Sequence, residues 1–66
     1  PILVIHGEED TVVPPSDAHD IASAARQARL ELVPGADHAF SRPAHLRPMI
    51  RGVATFLADA LRSAIL

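Results

Sequence analysis

The chain has 66 residues, no cysteine and a formal net charge of −2 at pH 7. The lack of cysteine excludes disulfides and thiolate metal sites, and six scattered arginines with only two aromatic residues argue against a nucleic-acid partner. A hydrophobic fraction of 48% indicates a globular domain. No apolar run approaches the roughly 20 residues that cross a bilayer, and no segment resembles a signal peptide. We therefore expect a cytoplasmic protein with no membrane partner.

The chain begins with an apolar run that predicts a buried strand. Residues 2–5 are all aliphatic, as is typical of a parallel strand covered on both faces. Gly7 then permits a turn, and the polar residues 8–11 lead to an extended stretch that ends in two prolines. This segment therefore predicts a strand followed by a polar loop.

A first helix is predicted over about residues 17–27. Ser16 is expected to be its N-cap, and Arg26 and Arg29 are expected near its C-terminal end, where cations are favoured. Apolar residues at helical spacing form a narrow stripe that should face the core. The members of that stripe are Ala18, Ile21, Ala22 and Ala25.

A second strand is predicted at residues 30–33, and a last helix at about residues 48–64. Pro34 and Gly35 end the strand, residues 36–41 form a loop, and Pro48 is expected in the first turn of the helix. Apolar residues recur along this helix at steps of three and four. They are Met49 or Ile50, Val53, Phe56, Leu57, Ala60, Leu61 and Ala64.

The order strand, helix, strand, helix predicts an α/β fold. Two strands joined by a helix are expected to be parallel, with a right-handed crossover. Two parallel strands make a poor free-standing sheet, because parallel sheets need neighbours and cover on both faces. We therefore expect this β-α-β-α unit to belong to a larger sheet.

Polar loops follow both predicted strands, and they contain the residues best suited to chemistry. In open α/β sheets, functional groups gather beyond the carboxyl ends of the strands. Asp10 follows the first strand and His38 follows the second, so we expect the two side chains to meet. A carboxylate beside an imidazole is the orienting acid and the base of a nucleophilic triad.

These segments resemble the α/β-hydrolase family. Residues 1–14 are similar to its penultimate-strand segment, where a Gly-x-x-Asp turn presents the catalytic acid, which here is Asp10. Residues 32–40 are similar to the loop after the last strand, which presents the catalytic histidine, here His38. The last helix is similar to the family's C-terminal helix. The resemblance is closest to the esterase, dienelactone-hydrolase-like and serine-peptidase-like branches.

The resemblance implies that residues 1–66 are the C-terminal part of an α/β-hydrolase domain. It implies a small-molecule ester or acyl substrate, and no cofactor or metal. The family's nucleophile lies upstream, in a Gly-x-Ser-x-Gly elbow, whereas no serine here has a glycine two residues away on either side. The nucleophile and the oxyanion donors are therefore expected elsewhere, and the isolated chain should be inactive. The expected partners are the remainder of the hydrolase domain or a second chain at the sheet edge.

Alternatives remain open for the polar residues. Asp10 is also a common turn residue, Glu8 and Glu9 would replace it only in a misaligned turn, and Asp37 is expected to shape its loop. A metal site formed by Asp37, His38 and His45 is conceivable, but these residues lack the spacing of helical zinc sites.

Three further side chains are predicted to have no catalytic role. A second function is also compatible with the sequence. His6 is expected to be packed or hydrogen-bonded at a strand end, His19 to be solvated, and Phe40 to pack beneath the histidine loop. The alternative function is a non-catalytic, hydrolase-derived module that docks onto another chain through its open sheet edge.

Overall fold

The computed structural model describes residues 1–65 and contains a two-stranded sheet with two helices. The elements follow the order β1 (Ile2–Gly7), α1 (Pro15–Ala24), β2 (Ala28–Val33) and α2 (Pro43–Ile65). β1 and β2 are parallel, and their register runs from Ile2 opposite Ala28 to Gly7 opposite Val33. The predicted α/β class and the β-α-β-α order are confirmed.

Helix α1 begins one residue before Ser16, and the prediction of Ser16 as its N-cap is wrong. The N-cap is Pro14, no side chain caps the helix, and Pro15 occupies its first position. Proline suits that position because its φ is preset and the missing N–H would have no helical partner. The backbone N–H of Asp17 donates to the carbonyl of Pro14 at 2.9 Å, which closes the first turn.

Helix α1 also ends earlier than predicted, at Ala24 instead of residue 27. Ala25 is extended (φ −93°, ψ 145°), and Gln27 has a positive φ of 56°. This turn leads the chain directly into β2, which starts at Ala28 and not at residue 30.

Arg29 therefore lies in β2, and its predicted position at the end of α1 is wrong. Its guanidinium lies 5.7 Å from the centre of the Phe56 ring and 3.4 Å from the carboxylate of Asp59. Both partners are on α2, so Arg29 links the second strand to the last helix.

Helix α2 begins at Pro43, five residues earlier than predicted, and Pro48 lies inside it. The N–H groups of His45 and Leu46 both donate to the carbonyl of Arg42 at 3.0 Å, which establishes the first turn. Pro48 in the second turn removes only the one hydrogen bond that its N–H would donate. The expectation that Pro48 occupies the first turn is wrong because Pro43 already does so.

The apolar core of the described residues is small. The buried apolar residues are Ala18, Val33 and Ala36, while Ile21 on the predicted stripe of α1 is 56% exposed. Along α2, large apolar side chains are also exposed, namely Leu46, Ile50, Val53, Leu57 and Leu61. Within residues 1–65, neither helix combines the length and the apolar character that a membrane-spanning segment requires.

Candidate active site

The loops that follow β1 and β2 are joined to each other by backbone hydrogen bonds. The N–H of Glu8 donates to the carbonyl of Val33, and the N–H of Glu9 donates to the carbonyl of Ala36, both at 3.0 Å. A Cβ atom on Gly7 would lie only 2.8 Å from the carbonyl carbon of Ala36. Glycine at this position therefore allows the two loops to approach closely enough for these bonds.

Asp10 lies in the turn after β1 and is almost completely buried, with 7% of its surface exposed. Its backbone N–H donates to the carbonyl of Gly7 at 3.2 Å. Its Oδ1 atom accepts hydrogen bonds from the backbone N–H groups of Val12 and Val13, each at 2.8 Å. The turn thus fixes both the backbone and the carboxylate of Asp10.

His38, in the loop after β2, reaches the other oxygen of this carboxylate. Its Nδ1 atom lies 2.8 Å from Oδ2 of Asp10. A carboxylate only accepts hydrogen bonds, so Nδ1 carries the proton and Nε2 is the acceptor nitrogen of the neutral ring. The His38 side chain is 52% exposed. The structure therefore brings together the two residues that the sequence indicates as the site.

The surroundings of Asp10 favour its ionised form. Burial alone would raise the pKa of Asp10, but the hydrogen bonds from Val13, His38 and Val12 and the charge of His38 together lower the pKa to about 2. Asp10 therefore carries a negative charge at neutral pH. A fixed negative charge beside Nδ1 stabilises an imidazolium, which forms when His38 accepts a proton.

His6, the penultimate residue of β1, also contacts the acid, and sequence reasoning missed this contact. Its Nε2 atom lies 3.1 Å from Oδ2 of Asp10 and 2.8 Å from the carbonyl oxygen of Val13. The expectation of a packed or hydrogen-bonded histidine agrees with this arrangement but names no partner. The available signal is the four-residue spacing between His6 and Asp10 across the Gly7 turn.

The other acidic residues of the two loops lie away from this pair or have other partners. Glu8 and Glu9 are exposed. Asp37 accepts a short hydrogen bond from the hydroxyl of Ser41 and a second one, of 2.9 Å, from its backbone N–H. The Ser41 hydroxyl, followed by the Ser41 backbone N–H, lowers the pKa of Asp37. Asp37 thus stabilises the loop of residues 37–41, which contains His38.

The remaining histidines are separate from the Asp10–His38 pair. His19 is exposed on α1, in agreement with the prediction of a solvated side chain, and His45 lies in the first turn of α2. Within the described part of the chain, no three His, Cys, Asp or Glu side chains come together as possible metal ligands.

An apolar groove of about 430 Å³ lies between the sheet and α2. Phe40, two residues after His38, is half-buried in its wall. The groove is lined by Leu3, Ile5, Phe40, Met49, Val53, Phe56 and Leu57.

One comparison with known proteins identifies a relationship. The family model described as the dienelactone hydrolase family matches residues 1–63. No curated protein and no solved structure matches the chain. The family match includes both strands, both loops of the candidate site and almost all of α2.

Proposed function

The chain belongs to the dienelactone hydrolase family, and we propose that it supplies the acid and the general base of a hydrolase acting on ester or related acyl bonds. In this proposal Asp10 is the acid and His38 is the base. Family membership supports a hydrolase with an α/β fold, and it singles out one of the three branches that the sequence resembles.

The hydrogen bond between His38 Nδ1 and Asp10 Oδ2, 2.8 Å long, carries the proposal. The acid is buried and ionised, while half of the imidazole surface is exposed. This is the arrangement that a general base requires, because the acid fixes the tautomer and leaves Nε2 directed to other partners. His38 would take the proton of a nucleophile through Nε2 and later pass it to the leaving group.

The nucleophile in this proposal is a serine outside the 66 residues. It would attack the acyl carbon of a small-molecule substrate, and oxyanion donors outside these residues would hold the developing charge. Within the described residues, Ser41 is a poor candidate because its hydroxyl donates to Asp37. The proposal requires neither a cofactor nor a metal.

We further propose that residues 1–66 form the C-terminal part of the hydrolase domain. The sheet has two strands among the described residues, and parallel sheets of this size lack cover and neighbours. The exposed apolar groove between the sheet and α2 is a surface that the rest of a domain would cover.

A non-catalytic docking module is a second candidate, and the same exposed surface favours it. Large exposed apolar patches mark interaction sites, and an unpaired strand edge can accept a strand from another chain. The two candidates differ in one respect, since only the enzyme requires the Asp10–His38 pair for its activity.

The test is steady-state hydrolysis of an activated aryl ester by the complete protein that contains this segment. His38→Ala should lower kcat by about 10²- to 10⁴-fold, the usual contribution of a general base, with little change in KM. His19→Ala removes an exposed histidine from α1 and should leave both constants unchanged. Circular dichroism checks that both variants are folded.

Two results would contradict the catalytic proposal. One is a folded His38→Ala variant that retains wild-type kcat. The other is a complete protein that lacks an upstream Gly-x-Ser-x-Gly elbow and His38-dependent turnover. If that protein also bound another chain through β1, the docking function would be favoured instead.

A further inference from the structure

We propose that His6 is a positioning residue that holds Asp10 in place for His38. Its catalytic consequence rests on the proposed function. The hydrogen bond of His6 with Val13 is independent of that proposal. It lies at the end of β1, where the His6 side chain is only 15% exposed.

The partners of His6 determine which of its nitrogens carries the proton. Nε2 faces the carbonyl oxygen of Val13 at 2.8 Å and Oδ2 of Asp10 at 3.1 Å. A carbonyl and a carboxylate are both acceptors, so Nε2 must be protonated. The hydrogen bond of Nε2 goes to the Val13 carbonyl, and Oδ2 of Asp10 lies beside the same N–H group at 3.1 Å. Because Nε2 carries a proton, His6 presents an N–H edge to the carboxylate and is not a competing base.

Three hydrogen bonds and the contact with His6 hold the Asp10 carboxylate. Oδ1 accepts from the backbone N–H groups of Val12 and Val13, Oδ2 accepts from His38, and Nε2 of His6 lies 3.1 Å from Oδ2. The side chain of Asp10 cannot rotate without breaking several of these bonds at once, so its orientation towards His38 is fixed.

His6 also fastens the loop behind the acid through Val13. The N–H of Val13 donates to Asp10 and its carbonyl accepts from His6, so both backbone groups of Val13 point into the site. The preceding residue, Val12, is 69% exposed and contributes little packing. The hydrogen bond from His6 thus ties an exposed loop to the end of β1.

The position of the base depends on this support. His38 is half exposed, and its described hydrogen bond is the one to Asp10. A displacement of Asp10 would therefore move or release the imidazole. Misplacement of a catalytic group by about 1 Å can reduce the rate by about 100-fold, so loss of the His6 donor should reduce kcat by about 10- to 100-fold.

Three substitutions of His6 in the complete protein test whether its N–H donor is required, or only a side chain at this position. His6→Gln places an amide N–H near the position of Nε2, whereas His6→Asn is too short to do so and His6→Leu has no donor. We expect His6→Gln to keep kcat within a few-fold of wild type. We expect His6→Asn and His6→Leu to lose about 10- to 100-fold in kcat with KM nearly unchanged.

A second readout follows the hydrogen bond directly and does not need activity. The proton between His38 Nδ1 and Asp10 should give a low-field proton resonance in the NMR spectrum of the complete protein. This signal should persist in His6→Gln and broaden or disappear in His6→Asn and His6→Leu. A purely structural role for His6 would lower stability in all three variants without this selectivity.

The outcomes distinguish this inference from the proposed function. If His6→Gln is as impaired as His6→Asn, or if folded His6→Asn keeps both kcat and the His38 resonance, the inference is overturned. If His38→Ala has no effect on hydrolysis while the His38 resonance still depends on the His6 donor, the proposed function fails and the positioning role stands.

Discussion

The acid–base corner and the apolar groove differ in how completely the described residues build them. The acid–base corner consists of His6, Asp10, His38 and the backbone of residues 12 and 13, and three hydrogen bonds hold its carboxylate. The groove is open, and Leu57 in its wall is 52% exposed. The hydrogen-bonded corner of this chain is therefore more nearly self-contained than its hydrophobic core.

The difference follows from how much of the molecule each kind of interaction requires. A hydrogen-bonded corner needs a few donors at the right distance, and two neighbouring loops supply them. A hydrophobic core needs buried area, at roughly 25 cal/mol for each Å² removed from water. Here the buried apolar residues are two alanines and one valine, which provide little of that area.

Gly7→Ala should have the largest effect on stability, because it separates the two loops of the corner. Its new Cβ would meet the backbone of Ala36, which cannot move aside cheaply. We expect a loss of about 1–3 kcal/mol, the usual cost of overpacking, together with reduced hydrolysis as His38 is displaced. Thermal unfolding and kinetics of the complete protein measure both.

Gly52→Ala is the matched control on α2. A Cβ there would meet the carboxylate of Glu31, the mobile end of a flexible side chain, and alanine favours a helix over glycine by about 1 kcal/mol. The melting temperature should stay the same or rise. Equal losses for Gly7→Ala and Gly52→Ala would show that the loop contact has no special importance.

The acid–base corner should also respond to acid in a defined pH range. The pKa of Asp10 is lowered from 3.8 to about 2 in the folded chain. Its contribution to stability is therefore complete above the unfolded pKa and is lost as pH falls from about 4 to about 2. Unfolding measured against pH should show this loss in wild type, and Asp10→Asn should lack it.

Glu8→Gln provides the control for that measurement. Glu8 is an exposed carboxylate in the same loop, so this variant should retain the wild-type loss between pH 4 and 2. If Asp10→Asn and wild type lost stability in parallel over this range, the carboxylate would not be stabilised by its hydrogen bonds.

Leu57→Gln should have the smallest effect on the stability of the isolated chain and should test the groove. An exposed site changes stability by less than about 0.5 kcal/mol, but self-association of the chain should decrease because an apolar patch is interrupted. Sedimentation velocity measures the association. Ile21→Gln alters a similarly exposed residue outside the groove and should not change it.

The same substitution in the complete protein tests whether the groove is covered there. If the rest of a domain covers the groove, Leu57→Gln should there cost more than in the isolated chain, because a buried leucine contributes about 1.5–3 kcal/mol. Equal and small effects in both settings would show that the groove remains uncovered.

The contact between Asp10 and His38 was predictable from the sequence because the positions of both residues follow from topology. Parallel strands place the loops with Asp10 and His38 at one sheet edge, and the structure brings both residues into contact. The contact between Asp10 Oδ2 and His6 was not predictable in the same way. It depends on the exact path of the loop back to Val13, which no periodic pattern encodes.

The element boundaries were less predictable because competing local signals lie close together. Ser16 and Pro15 are both typical of a helix start, and the preset φ of proline decided the position. Pro48 and Pro43 offered the same ambiguity for α2. The exposure of Ile21 reflects how few residues are present to cover it, which helical spacing alone does not reveal.

The most direct test of the Asp10–His38 pair compares kcat of Asp10→Asn and Asp37→Asn in the complete protein. Asp10→Asn keeps the shape of the side chain but favours the wrong imidazole tautomer, and the corresponding change in a serine protease lowers kcat by about 10⁴-fold. We expect a loss of a few orders of magnitude for Asp10→Asn. Asp37, which is bonded to Ser41, should tolerate asparagine with only a few-fold change. A crippled Asp37→Asn beside an active Asp10→Asn would contradict the assignment of Asp10 as the acid.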